Sequence, residues 1–127
     1  MGLQTILRLR RQGFFIPYRY ADYLPERQPV YSALAEYFAA AESVFADLLR
    51  GSVVYADDLS KIASERAASP APRFDQSWFP TLDAVAAYTL VRQYGPRRII
   101  EVGSGHSTRF LARAVADGTL PTEITAF

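Results

Sequence analysis

Glu101, Gly103, Gly105, Ser107 and Thr108 all fall in the run EVGSGHST, and their types and spacing suit the capture of a small polar ligand. Glycine at 103 lets a chain leave a strand in a conformation costly for other residues, and glycine at 105 removes a side chain where a ligand approaches the backbone. Ser104 lies between them in the same turn. Ser107 and Thr108 follow at the entrance of a helix, where free N–H groups and hydroxyls bind a carboxylate or phosphate. Glu101 discriminates among ligands. A carboxylate at the end of a buried strand is costly unless it meets a positive or donor group, so it favours an amine or several hydroxyls and repels a pyrophosphate. The purely structural alternative is that Glu101 pairs with Arg97, Arg98 or Arg109 and the glycines only make a tight turn.

Other nucleotide motifs fit less well. A dinucleotide fingerprint requires glycine at position 108, which is Thr108, and a phosphate-binding P-loop requires lysine followed by Ser or Thr after its second glycine. His106, the single histidine, is a conceivable general base, but no partner carboxylate is identifiable from spacing. The aspartates, including Asp57 and Asp58, show no ordered metal-ligand spacing and read as solvated helix-start residues, so no metal site is expected.

The elements that must position the turn follow from periodicity. Residues 97–102 read as a buried strand, 107–117 as a helix ended by Gly118, and 123–127 as the opening of a second strand. Upstream, Thr81 is placed to cap a helix over 81–94, with Asp83 in its first turn and Gly95-Pro96 as its stop. A helix of this length rises about 21 Å and a six-residue strand spans about 20 Å, so the tight Gly-Pro link lays them antiparallel. The helix start then lies near the C-terminal end of the strand, where open α/β sheets bind ligands. Trp78, Phe79 and Asp83 are thereby brought near the turn, with Phe79 the better candidate contact and Trp78 better suited to be an apolar anchor.

The front of the chain is helical. Apolar residues Leu34, Tyr37, Phe38, Ala41, Val44, Phe45, Leu48 and Leu49 recur with the spacing of one helix face over 29–50, with Pro29 in the first turn and Gly51 after the last. A weaker helical pattern covers 56–68, and SPAPRFDQSWFP reads as a partly packed linker. The basic start reads as a short helix ended at Gly13 and a docking aromatic stretch, since no cleavage-site pattern of a targeting segment follows. The expected organisation is a helical lead-in and linker over 1–72 and a strand-helix-strand element over 73–127.

Composition narrows the classes. Half the residues are hydrophobic and 13% aromatic, enough for a core. With 14 Lys and Arg against 13 Asp and Glu, the net charge of +1 gives no general electrostatic case for nucleic acid or an anionic membrane. The absence of cysteine excludes disulfides and thiolate chemistry and fits a reducing compartment, so a cytoplasmic location is expected. No apolar run approaches the ~20 residues of a membrane-spanning helix.

Together, Glu101-Val102-Gly103-Ser104-Gly105-His106-Ser107-Thr108 resembles motif I of S-adenosylmethionine-dependent methyltransferases with the Rossmann-like fold, and residues 78–115 resemble the segment leading into that motif in a bacterial branch of the family. The resemblance implies an α/β fold: a helical N-terminal portion, then the first β-α-β element of a Rossmann-like domain, with its sheet incomplete. It implies that Glu101 recognises the methionine amino group, that Gly103, Ser104 and Gly105 bring the backbone to the cofactor, and that Ser107 and Thr108 meet its carboxylate end. Phe79 is the further candidate contact. In the family, an acidic residue after the second strand binds the ribose hydroxyls, and later strands supply the adenine pocket and substrate face. Glu123 precedes the second strand and is not that ribose ligand.

The expectation is therefore the N-terminal part of such a methyltransferase, supplying the methionine-end half of the cofactor site; this chain alone is expected to bind S-adenosylmethionine weakly or not at all and to be inactive. Two parallel strands alone are marginal, so self-association through an open sheet edge is expected unless helices dominate the packing. The rival readings are a non-catalytic helical interaction module in which the glycine turn is structural, and part of a nicotinamide-dependent enzyme.

Overall fold

The computed structural model describes residues 2–10, 20, 23, 30–65 and 68–127. In chain order these form α1 (Gly2–Ile6), α2 (Ser32–Ala40), α3 (Glu42–Ser52), a 3-10 turn (Val53–Tyr55), α4 (Ala56–Ser64), α5 (Thr81–Tyr94), β1 (Arg98–Glu101), α6 (His106–Asp117) and β2 (Glu123–Ala126). The described residues are mostly helical with a two-stranded parallel sheet, a mixed helix-strand arrangement compatible with an α/β fold. It groups into two compact units, Met1–Tyr37 and Phe38–Phe127, whose boundary falls inside α2.

In the first unit, α1 closes well before Gly13. The Leu7 N–H bonds to the Leu3 carbonyl at 2.9 Å, and Arg8 then takes a left-handed φ of 56°. Gly13, the aromatic stretch over 14–19 and Pro29 lie outside the described residues.

The single helix predicted over 29–50 is two helices. Ala41 leaves helical geometry (φ −96°, ψ 4°), and its carbonyl accepts the N–H groups of both Val44 and Phe45 as α3 begins. Gly51 does not end α3, which continues to Ser52. A Cβ at Gly51 would lie 2.2 Å from Nε2 at the end of the Gln93 side chain of α5, so the glycine leaves room for that side chain instead of making a left-handed cap. Helix α4 starts where the pattern places it but stops at Ser64, because Glu65 turns extended (ψ 121°).

The second half follows the sequence more closely. Pro80, not Thr81, occupies the cap position of α5, and its carbonyl accepts the Ala84 N–H at 2.9 Å. Gly95 ends α5 at a left-handed φ of 50°, donating its N–H to the Val91 carbonyl, and Pro96 cannot continue the helix. After α6, the left-handed residue is Thr119 (φ 49°) rather than Gly118, which stays helical at φ −85°. A Cβ on Gly118 would come within 2.9 Å of the Leu120 side chain, so this glycine makes room instead of making the turn.

Ile62 of α4, Ala84, Tyr88 and Val91 of α5, and Phe110 and Ala114 of α6 form the buried core, with Ile99 of β1 and the linker rings Phe74 and Phe79 packed against it. Strands β1 and β2 pair in parallel, with Arg98 opposite Glu123, Ile99 opposite Ile124, Ile100 opposite Thr125 and Glu101 opposite Ala126. The ladder runs one residue further: Phe127 donates to the Glu101 carbonyl at 3.1 Å and accepts the Gly103 N–H at 2.9 Å. The glycine turn is thus tied to β2 as well as to β1. Among the described residues, no helix is long and apolar enough to cross a membrane.

Candidate functional site

The turn is built as its residue types require. Strand β1 ends at Glu101, and Gly103 takes a φ of 88°, a left-handed conformation that L side chains rarely adopt. Gly105 is extended (φ 172°) and precedes the first residue of α6, His106. A Cβ added at either glycine would meet nothing within 4 Å, so the backbone here is open to an approaching ligand. The first N–H groups of any α-helix lack acceptors within it and carry the positive end of the helix dipole, and those of α6 point into this turn.

Glu101 is oriented by the helix that follows it. Ser107 Oγ donates to Glu101 Oε1, and Thr108 Oγ1 donates to Glu101 Oε2. Thr108 Oγ1 also accepts the Gly105 N–H at 3.0 Å, which makes the three-residue reach of a helix cap. The partners of Glu101 are therefore hydroxyls, not Arg97, Arg98 or Arg109. Ser107 and Thr108 sit at the turn as expected, but their hydroxyls point to Glu101. A carboxylate offers about four acceptor positions, and the two hydroxyls leave room for further donors such as an ammonium. Glu101 is half-buried, Ser104 is exposed, and His106 Nδ1 is buried without a hydrogen-bond partner.

Trp78 departs from expectation. Trp78 is 74% exposed and anchors nothing, whereas Phe79 is half-buried with its ring 6.1 Å from that of Phe110. Gln76 enforces this: its side-chain oxygen accepts the N–H groups of Trp78 and Phe79 at 2.9 and 2.8 Å, folding the linker so that one ring turns inward. The Phe79–Phe110 contact does bring the entrance of α5 beside the first turns of α6, at the end of β1 where the turn lies. Asp83 is exposed there.

A polar network on the same core has no counterpart in the sequence reading. The Tyr88 hydroxyl donates to Asp117 Oδ2 at 2.7 Å and accepts from Arg92 Nη1 at 2.7 Å, and Arg92 Nη1 also reaches Asp58 Oδ2 at 2.9 Å. Arg113 joins Asp117 at 2.8 Å and Glu65 at 2.8 Å, while the Arg92 guanidinium lies 4.9 Å from the Tyr55 ring centre. Asp58 is thus a link between α4 and α5 rather than a solvated helix-start residue. Hydrogen bonds from Lys61 and Arg92 hold its carboxyl below the usual range, and one from Arg113 does the same for Glu65. Burial, then the bond to Asp117, pushes the Tyr88 phenol up. The sequence carries a signal only for the within-helix spacings, Asp58 to Lys61, Tyr88 to Arg92 and Arg113 to Asp117. Among the described residues, no group of three His, Asp or Glu side chains is placed to hold a metal ion.

The chain matches no protein-family model, no curated protein and no solved structure.

Proposed function

We propose that the β1-turn-α6 element binds the methionine end of S-adenosylmethionine, and that the chain serves an S-adenosylmethionine-dependent methyltransferase of Rossmann-like architecture. The observation that carries this reading is Glu101, held at the end of a parallel strand by two hydroxyls beside a glycine turn with open space over its backbone. Such a carboxylate suits an ammonium group and repels a pyrophosphate, while the first turn of α6 suits the ligand carboxylate. The bound cofactor would supply an electrophilic methyl group on a sulfonium. The chain's own contribution would be orientation and charge complementarity.

Ser107 and Thr108 in this reading are positioning residues for Glu101. Gly103, Ser104 and Gly105 provide the backbone approach, and half-buried Phe79 flanks the site with its ring against Phe110.

One observation favours a second reading. Both Glu101 oxygens already accept hydrogen bonds within the chain, which is also what a purely structural turn in a helical interaction module would need. Titration calorimetry with S-adenosylhomocysteine and with NAD separates the readings. Heat with S-adenosylhomocysteine alone supports the methyltransferase; heat with NAD alone supports a nicotinamide-dependent enzyme; binding of neither leaves the structural turn.

A further inference from the structure

The two faces of the sheet differ sharply. Ile99 turns toward the helices and packs on the core, whereas the alternate residues of β1 and the position after it face away: Ile100 is 65% exposed and Val102 93%. The register places Arg98 beside Glu123 and Ile100 beside Thr125. The ladder bonds of Phe127 to Glu101 and Gly103 place Val102 beside Phe127, which is 79% exposed. This outer face therefore carries one cation and one anion side by side at its start and two bare apolar side chains at its end. Parallel strands are ordinarily covered on both faces. Among the described residues, helices cover one.

We propose that the outer face is a homodimer interface, occupied by the same face of a second copy of this chain. The charge pattern selects both the occupant and its orientation. A two-fold axis parallel to the strands, midway between two stacked faces, lays β1 of one copy over β2 of the other. Arg98 then faces the partner's Glu123, Glu123 faces the partner's Arg98, and Val102 faces the partner's Phe127. A two-fold axis across the strands instead sets the charged end over the apolar end, leaving both charges unpaired. The first arrangement is the aligned stacking that sheets adopt, about 10 Å apart and within about 30°. Arg98 and Glu123 are free for it: neither forms an ion pair among the described residues. The face is smaller than the roughly 20 residues per side of a standard interface, so the association is weak and concentration-dependent. It does not depend on the ligand reading and covers the sheet face instead of its edge.

Sedimentation equilibrium of the 127-residue chain across micromolar to submillimolar concentration tests the proposal. The wild type forms a reversible dimer. Arg98→Glu and Glu123→Arg each weaken it by at least about tenfold, because like charges then face one another across the axis. An equimolar mixture of the two variants recovers a dimer at wild-type concentrations, since each glutamate now meets an arginine of the other chain; effects confined within one chain cannot produce that recovery. Val102→Asp, at an exposed position with no packing to lose, abolishes the dimer while leaving the circular dichroism spectrum unchanged. A wild type that stays monomeric throughout, a mixture no more associated than its components, or a Val102→Asp dimer of undiminished affinity would each overturn the proposal.

Discussion

Thr108 accepts the Gly105 N–H and at the same time donates to the Glu101 carboxylate, so one hydroxyl both caps α6 and aims the charge at the end of β1. Thr108→Val keeps the shape and removes both bonds. Loss of such a cap, together with a half-buried carboxylate short of one donor, costs about 1–2 kcal/mol. Urea denaturation should show a lower midpoint with an unchanged slope, and Thr108→Ser should recover most of the loss.

Tyr88 is completely buried, with its hydroxyl between Asp117 and Arg92. Tyr88→Phe leaves both charged partners short of a bond and should destabilise the chain by about 1–3 kcal/mol. Its titration adds a signed pH effect. The folded phenol ionises above the ordinary value of 10.0, so its contribution is present below pH 10 and declines as pH rises beyond it, where only the unfolded chain ionises. The alkaline fall in stability should be shallower in Tyr88→Phe, measured by denaturant melts between pH 9 and 11 taken as roughly this window.

Acid acts through the other end of the network. The Asp58 carboxyl titrates below its ordinary value of 3.8, so its contribution is fully present above that value and fades as pH falls through the lower folded value. Glu65, lowered from 4.5 by Arg113, behaves alike. Asp58→Asn should lower stability at neutral pH and flatten the decline below about pH 4; thermal melts from neutral to acid conditions would show a parallel decline if Asp58 played no part.

What could be read from the residues divides along local and distant interactions. The strand, turn, helix and second strand from Arg98 onward, and the Gly95-Pro96 stop before them, were legible because each depends on neighbours within a few positions. The break at Ala41 was not legible, since the apolar spacing continues through it. Nor was the exposure of Trp78 beside an inward-turned Phe79, which Gln76 decides through its bonds to their N–H groups. At the site, the positions of Glu101, Gly103, Gly105, Ser107 and Thr108 were readable, but the bonding of both hydroxyls to Glu101 was not. Tyr88 and Arg92 lie one turn apart on α5, but Asp58 and Asp117 come from two other helices, and only folding brings them there.

Two glycines should answer oppositely to the same substitution. Gly51→Ala pushes only against the end of the exposed Gln93 side chain, which can swing aside, while the helix gains up to about 1 kcal/mol of propensity. Gly103→Ala meets open space but must hold a φ of 88°, at a cost of about 1 kcal/mol or more. Chemical denaturation should rank Gly51→Ala at or above the wild type and Gly103→Ala below it.

Under the proposed function, Glu101 recognises the amino-acid end of a methyl donor. The most direct measurement is calorimetric titration of wild type and Glu101→Gln with S-adenosylhomocysteine and with methylthioadenosine, which lacks that end. The wild type should prefer S-adenosylhomocysteine by at least about tenfold, on the scale of a lost charge-assisted hydrogen bond, and Glu101→Gln should lose the preference. No binding of S-adenosylhomocysteine, or an equal preference in the folded variant, would contradict it.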